Sequence, residues 1–105
     1  MPAPPASFAD LLRTSRETNA RTLREVAERL NVDVSLVSKW ERGERKPNRD
    51  EVNALARYFK TDRKAWVVMW LRDTVLYSIG DDEFALEALK AAEAQVKYQA
   101  KQTNR

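Results

Sequence analysis

Apolar residues recur along this chain at intervals of three and four, separated by polar stretches with the character of caps and turns. The pattern predicts six helices and no strand or repeat. Ser7-Phe-Ala-Asp10 has the form of a capping box and opens a first helix to about Thr18, with Phe8, Leu11, Leu12 and Ser15 on one face. Thr22-Leu-Arg-Glu25 is a second capping box, followed by Val26, Ala27 and Leu30 at helical spacing. Asn31-Val32-Asp33 interrupts that run: Asn tolerates left-handed backbone, and Asp33 can cap the next helix. That third helix, Val34 to Arg42, turns Val37 and Trp40 inward and stops at Gly43. After the basic loop Glu44-Arg-Lys-Pro47, Asn48 caps a fourth helix with Glu51 at its third position and Val52, Leu55, Ala56 and Phe59 inside. A fifth is expected from Asp62 to about Ser78, ending near Gly80. A sixth starts at Asp81-Asp-Glu83 and fades after Tyr98, its acids and lysines arranged to suit the helix dipole.

Composition narrows the chemistry. Of 105 residues, 43% are hydrophobic and 33% charged, the signature of one globular, helix-rich domain rather than a disordered chain. Two glycines and four prolines are too few breakers for a sandwich or barrel. Histidine and cysteine are absent, which excludes disulfide scaffolds, thiolate zinc sites, Cys or His nucleophiles and Ser-His-Asp triads. No metal site and no cofactor is expected. The longest apolar run, Ala65 to Leu71, is too short to span a bilayer, and Met1 to Ala6 lack the form of a signal peptide. The expected compartment is the cytoplasm, with no membrane partner. Net charge is +3, but it is unevenly spread: residues 1–64 hold 14 basic and 10 acidic side chains, residues 65–105 hold 5 and 6. The excess is densest from Lys39 to Arg49. Such a stretch is often only a solvated face, and gains meaning beside an element that could enter a DNA groove.

Residues Leu23 to Arg42 supply that element. A helix-turn-helix needs a small residue where its helices meet, a left-handed turn residue, and apolar positions locking one helix on the other. Ala27, Asn31, and the set Val26, Leu30, Val32, Val37 and Trp40 meet those needs in register. The segment TLREVAERLNVDVSLVSKWERGERKPN, residues 22–48, resembles the helix-turn-helix of the Cro and lambda-repressor family of regulators, also called xenobiotic-response-element regulators. Its most specific feature is Trp-Glu-Arg-Gly at 40–43, with the basic loop and Pro47 behind it. The similarity covers roughly residues 8–67. It implies an all-α fold: a five-helix lambda-repressor-like helix-turn-helix domain with an extra C-terminal helix. The organisation expected is a disordered arm at 1–6, the DNA-binding domain at 7–64, and a C-terminal helical extension at 65–105 that covers the core and dimerises.

The resemblance also implies site residues. By position, Val34, Ser35, Ser38 and Lys39 would face base edges: Lys39 toward guanine, the serines toward several bases, Val34 toward a thymine methyl. Leu36 lies beside them; if it is exposed, it packs on a sugar or belongs to a protein contact. Arg42, Arg45, Lys46 and Asn48 would contact phosphate, with Arg49 a further candidate. Arg16 and Glu41 occupy positions that often form an ion pair tying the first helix to the end of the third; two independent surface charges are the other reading. Two departures stand out. Leu23 replaces a phosphate-contacting Gln of many members, and Arg21 replaces a core leucine, whose packing Leu23 would take over. Phosphate contact at the start of the second helix then falls to Thr22, the backbone amides beside it, and Arg24.

The segment from Ala65 to Ile79 is apolar around most of its circumference. Trp66, Met69 and Trp70 are expected to cover the core. The remainder needs either an intramolecular hairpin with the sixth helix, which offers Ala85, Leu86, Leu89, Ala92 and Val96, or a second subunit. The dimer-interface residues expected are Trp70, Val75, Leu76, Ile79, Leu86 and Leu89. A ligand pocket around Trp66, Trp70 and Tyr77 is an alternative use of the aromatics. The long C-terminal helix pair, with Ala-Leu-Glu-Ala-Leu-Lys-Ala-Ala-Glu at 85–93 and a late Tyr98, also resembles small controller regulators found beside DNA methyltransferase and restriction genes.

Three functions compete on this sequence. The first is a homodimeric, sequence-specific regulator of transcription, a repressor that binds an inverted-repeat operator in double-stranded DNA. The second is a helix-turn-helix interaction module, antitoxin-like or an adaptor, whose partner is an unidentified protein; Val34, Leu36 and Leu23 favour it and the basic stretch opposes it. The third is an enzyme, but Asp81-Asp82 lies at a helix start with no nucleophile, metal cluster or phosphate loop beside it. No enzymatic activity is expected.

Overall fold

A computed structural model describes residues 5–103, and these form six α-helices with no strand among them. The helices are α1 (Phe8–Thr18), α2 (Leu23–Leu30), α3 (Val34–Glu41), α4 (Arg49–Tyr58), α5 (Arg63–Ile79) and α6 (Ala85–Thr103). They divide into two compact units, residues 1–74 and 75–105. The division falls within α5, later than the 64/65 boundary expected from sequence. The reason is that Trp66, Val67, Met69 and Trp70 all pack onto the first unit's core. Residues 1–4 of the expected arm lie outside the described residues; Ala6 is held, its carbonyl accepting from Arg72 at 2.6 Å.

In the first unit α3 packs against α2 and α1, and α2 also packs against α4. Leu12, Val26, Val37, Val52 and Leu55 are completely buried, one or two from each of the first four helices. Trp66 closes the bottom of this core, edge-on to Phe8 at 5.7 Å and stacked on Phe59 at 5.8 Å. That placement makes Trp66 a core residue, not the wall of a ligand pocket, while Tyr77 is 92% exposed. Leu23 packs against the core as expected, and Arg21 instead lies outside, over the ring of Tyr58 at 5.8 Å.

Helix ends follow local chemistry. Ser7, Thr22, Asp33 and Asn48 cap α1 to α4, with full capping boxes at Thr22/Glu25 and Asn48/Glu51. The first four helices terminate through a left-handed residue: Ala20 (φ 53°), Asn31 (56°), Gly43 (72°) and Lys60 (55°). At each, the amide just beyond the left-handed residue reaches back five positions, as Glu44 N–H does to Lys39 O at 2.9 Å.

The second unit comprises the end of α5, a turn at left-handed Gly80, and α6. Asp82 Oδ1 accepts from the Phe84 amide, so residues 81–84 are a capping turn and the helix starts at Ala85, not Asp81. It also runs past Tyr98 to Thr103, because Ala, Gln and Lys continue it and no breaker intervenes. None of its residues is buried.

Candidate nucleic-acid interface

The α2–turn–α3 arrangement is set by three devices. Ala27 is buried where the helices meet. Asn31 (φ 56°, ψ 47°) makes the turn, with the Val32 amide donating to Ala27 O at 3.0 Å. Asp33 then caps α3 through the Ser35 amide at 3.3 Å. Val37 and Trp40 anchor the inner face of α3.

The far end of α3 is tied down by charge. Glu41 is 9% exposed, and Arg16 grips it in bidentate fashion, Nε to Oε2 at 2.6 Å and Nη2 to Oε1 at 3.0 Å. The remaining nitrogen, Nη1, donates to Arg21 O at 3.0 Å, so one guanidinium joins α1, the α1–α2 connection and α3. Glu41 holds the guanidinium pKa above its ordinary value, chiefly through the hydrogen bond. The two side chains are joined, not independent surface charges.

With its inner face fixed, α3 presents an outer edge of Val34 (36% exposed), Ser35 and Lys39, all exposed, and half-buried Ser38. Ser38 Oγ is not free-standing: it accepts from Arg42 Nη1 at 2.9 Å. Arg42 also donates to Glu44 at 2.9 Å, and this bond holds the Glu44 carboxyl below its usual pKa. Leu36 is half-buried against the core rather than exposed, because it faces the same side as the core-packed residues.

Besides Arg42, the candidate phosphate ligands fall into three groups. Arg24 and Arg45 are exposed and have no ion-pair partner among the described residues. Thr22 and Asn48 spend their side-chain oxygens on capping boxes, accepting from Glu25 and Glu51 amides at 3.0 and 2.8 Å. Their own amides donate to the Glu25 and Glu51 carboxylates, so what these helix starts still offer are the amides of the next two residues, which have no acceptor inside a helix. Lys46 lies with Nζ 4.9 Å above the ring of Trp70, and Arg49 stands 5.9 Å from the same ring.

That last cluster is invisible to local sequence patterns. Trp70 Nε1 donates to Pro47 O at 2.8 Å, a contact across 23 residues that no spacing announces. Among the expected dimer residues, Trp70 therefore sits half-buried within the first unit. Val75, Leu76 and Leu86 are exposed, and Ile79 and Leu89 half-buried.

A helix-turn-helix with a polar outer edge and adjoining cations defines the class of DNA-binding helix-turn-helix proteins. The chain belongs to the helix-turn-helix domain family, whose model matches residues 7–65. A solved structure of a hypothetical protein from E. coli is similar, with a TM-score of 0.64 and 24% identity over 92% of this chain and 99% of that one. That likeness is one of fold. No curated protein matches. Among the described residues no helix is long and apolar enough to cross a membrane.

Proposed function

We propose that the chain is a sequence-specific regulator of transcription of the Cro/lambda-repressor type. It acts as a repressor, binding an inverted-repeat operator in double-stranded DNA as a homodimer. The observation that carries this reading is the exposure of Val34, Ser35 and Lys39 on α3 together with that of Arg42, Arg45 and Lys46 just after it. One end is fit for base edges and the other for phosphate. The narrower form of the reading, a controller-type regulator, rests on the resemblance of the C-terminal helix pair alone. No catalytic reaction is assigned.

Homodimerisation is supported by apolar surface on the second unit, where Val75 (42%), Leu76 (46%), Leu86 (60%) and Val96 (62%) face solvent. A second copy would supply the second half-site reader that a single helix-turn-helix lacks. The exposed Val34 favours the competing reading, a protein-interaction module, since a valine at the tip of a reading helix serves a protein contact equally well.

Replacing both Arg45 and Lys46 by Ala separates the two. The proposal expects weaker binding to every duplex and a salt slope shallower by roughly one per lost phosphate contact. An unchanged slope would remove the loop from the interface.

A further inference from the structure

We infer that Trp70 is a positioning residue for the phosphate-contacting loop, setting where the Lys46 ammonium and the Arg49 guanidinium stand. The inference rests on the DNA-binding reading above and adds to it a residue outside the helix-turn-helix itself.

Residues 44–48 connect α3 to α4 without regular structure. Pro47 supplies a buried ring but no amide, and its carbonyl accepts the Trp70 indole N–H at 2.8 Å. That bond fixes the rotation of the indole about its own axis as well as holding the loop. The ring then faces two cations, Lys46 at 4.9 Å and Arg49 at 5.9 Å. Neither cation pairs with a carboxylate among the described residues. Each is thus oriented by an aromatic face, which leaves the outward donors of the ammonium and guanidinium free for an anion. A lysine left to sample all its rotamers would have to be ordered at the moment of binding; one already held over a ring loses less. A Trp serving only to fill space would need neither the N–H bond nor the two cations.

The test uses the full chain with Trp70→Phe, which keeps a ring and loses the N–H, and Trp70→Leu, which loses both. Affinity for a random-sequence duplex is measured by fluorescence anisotropy across a salt series, beside a thermal melt. Expected is a loss of about threefold for Trp70→Phe and about tenfold for Trp70→Leu, the latter with a salt slope shallower by roughly one. A lowered melting temperature with an unchanged slope would overturn the inference, leaving Trp70 as packing alone. Should Trp70→Leu not fold, Trp70→Phe carries the test through the same affinity comparison. Lys46 side-chain proton shifts give a readout without DNA: ring current should move them upfield in the parent chain and release them in Trp70→Leu. Random-coil shifts in the parent would also overturn the clamp. A parent chain whose shifts show the clamp but whose duplex binding ignores salt would instead fail the DNA-binding reading, and the role given to Trp70 would fall with it.

Discussion

In the proposed mode of binding Lys39 is the one cation on the base-reading edge, which it would share with Val34 and two serines. Val34 has no polar side-chain atom, and Ser38 already accepts from Arg42. Replacing Lys39 by Ala should therefore reduce affinity for the preferred operator by about 1–3 kcal/mol while leaving random duplex nearly unaffected. Equal loss on both, in paired competition titrations, would move Lys39 onto phosphate. A second residue-scale prediction concerns Ala20, whose φ of 53° carries a side chain into a region that favours glycine. Ala20→Gly should raise stability by about 0.5–1 kcal/mol, read as a higher melting temperature. Gly43→Ala should do the reverse, since no atom lies within 4 Å of the added methyl and only the backbone would be strained. The contrast marks where the sequence was legible. Asn31 and Gly43 announce a left-handed turn by their chemistry. Ala20 and Lys60 adopt the same geometry at local turns closed by backbone hydrogen bonds, and nothing in their side chains says so.

At the scale of the helix, caps were the most readable features, since each needs only residues three positions apart. Thr22 and Glu25 satisfy one another reciprocally, the Thr22 amide donating to Oε1 at 2.9 Å and the Glu25 amide to Oγ1 at 3.0 Å. The Thr22 backbone bond above all, with aid from the Thr22 hydroxyl and Arg21, holds the Glu25 carboxyl below its ordinary pKa. A carboxylate depressed in the folded state contributes stability above its unfolded pKa and loses it as pH falls through the folded one. The advantage of the parent chain over Glu25→Gln should thus be full at neutral pH. It should shrink once pH drops below the ordinary Glu range of about 4.3, as followed by denaturant titrations at several pH values. A gap that widens toward acid would contradict this. What caps could not reveal is how one helix is fastened to another far along the chain. Asp73 accepts from the Phe8 amide at 2.7 Å, tying α5 to the start of α1, and Trp70 reaches Pro47. Both bonds join residues whose proximity exists only after folding. The end of α6 is illegible for the opposite reason: its apolar stripe ends near Val96, and beyond it the helix persists on intrinsic propensity alone.

Over the whole molecule, the two units differ in what holds them. The first has a continuous core fed by α1 to α5, with Arg16 and Glu41 bracing the third helix from outside. The second has no buried residue in α6, and Val75, Leu76, Leu86 and Val96 face water. A unit with so little buried apolar surface is a poor independent fold and a good half of an interface. The sequence foretold this ambiguity, because an apolar segment that wraps its helix names no partner. The proposed symmetric dimer would resolve it and at the same time double the reading surface, which would suit a recognition edge with few base-specific groups. The most direct measurement is selection from a random duplex pool at near-physiological salt, followed by sequencing. The account predicts enrichment of an inverted repeat whose half-sites lie about 10 base pairs apart, or a multiple of it. No enrichment by the folded protein would contradict it, and a single unrepeated half-site would remove the symmetric dimer.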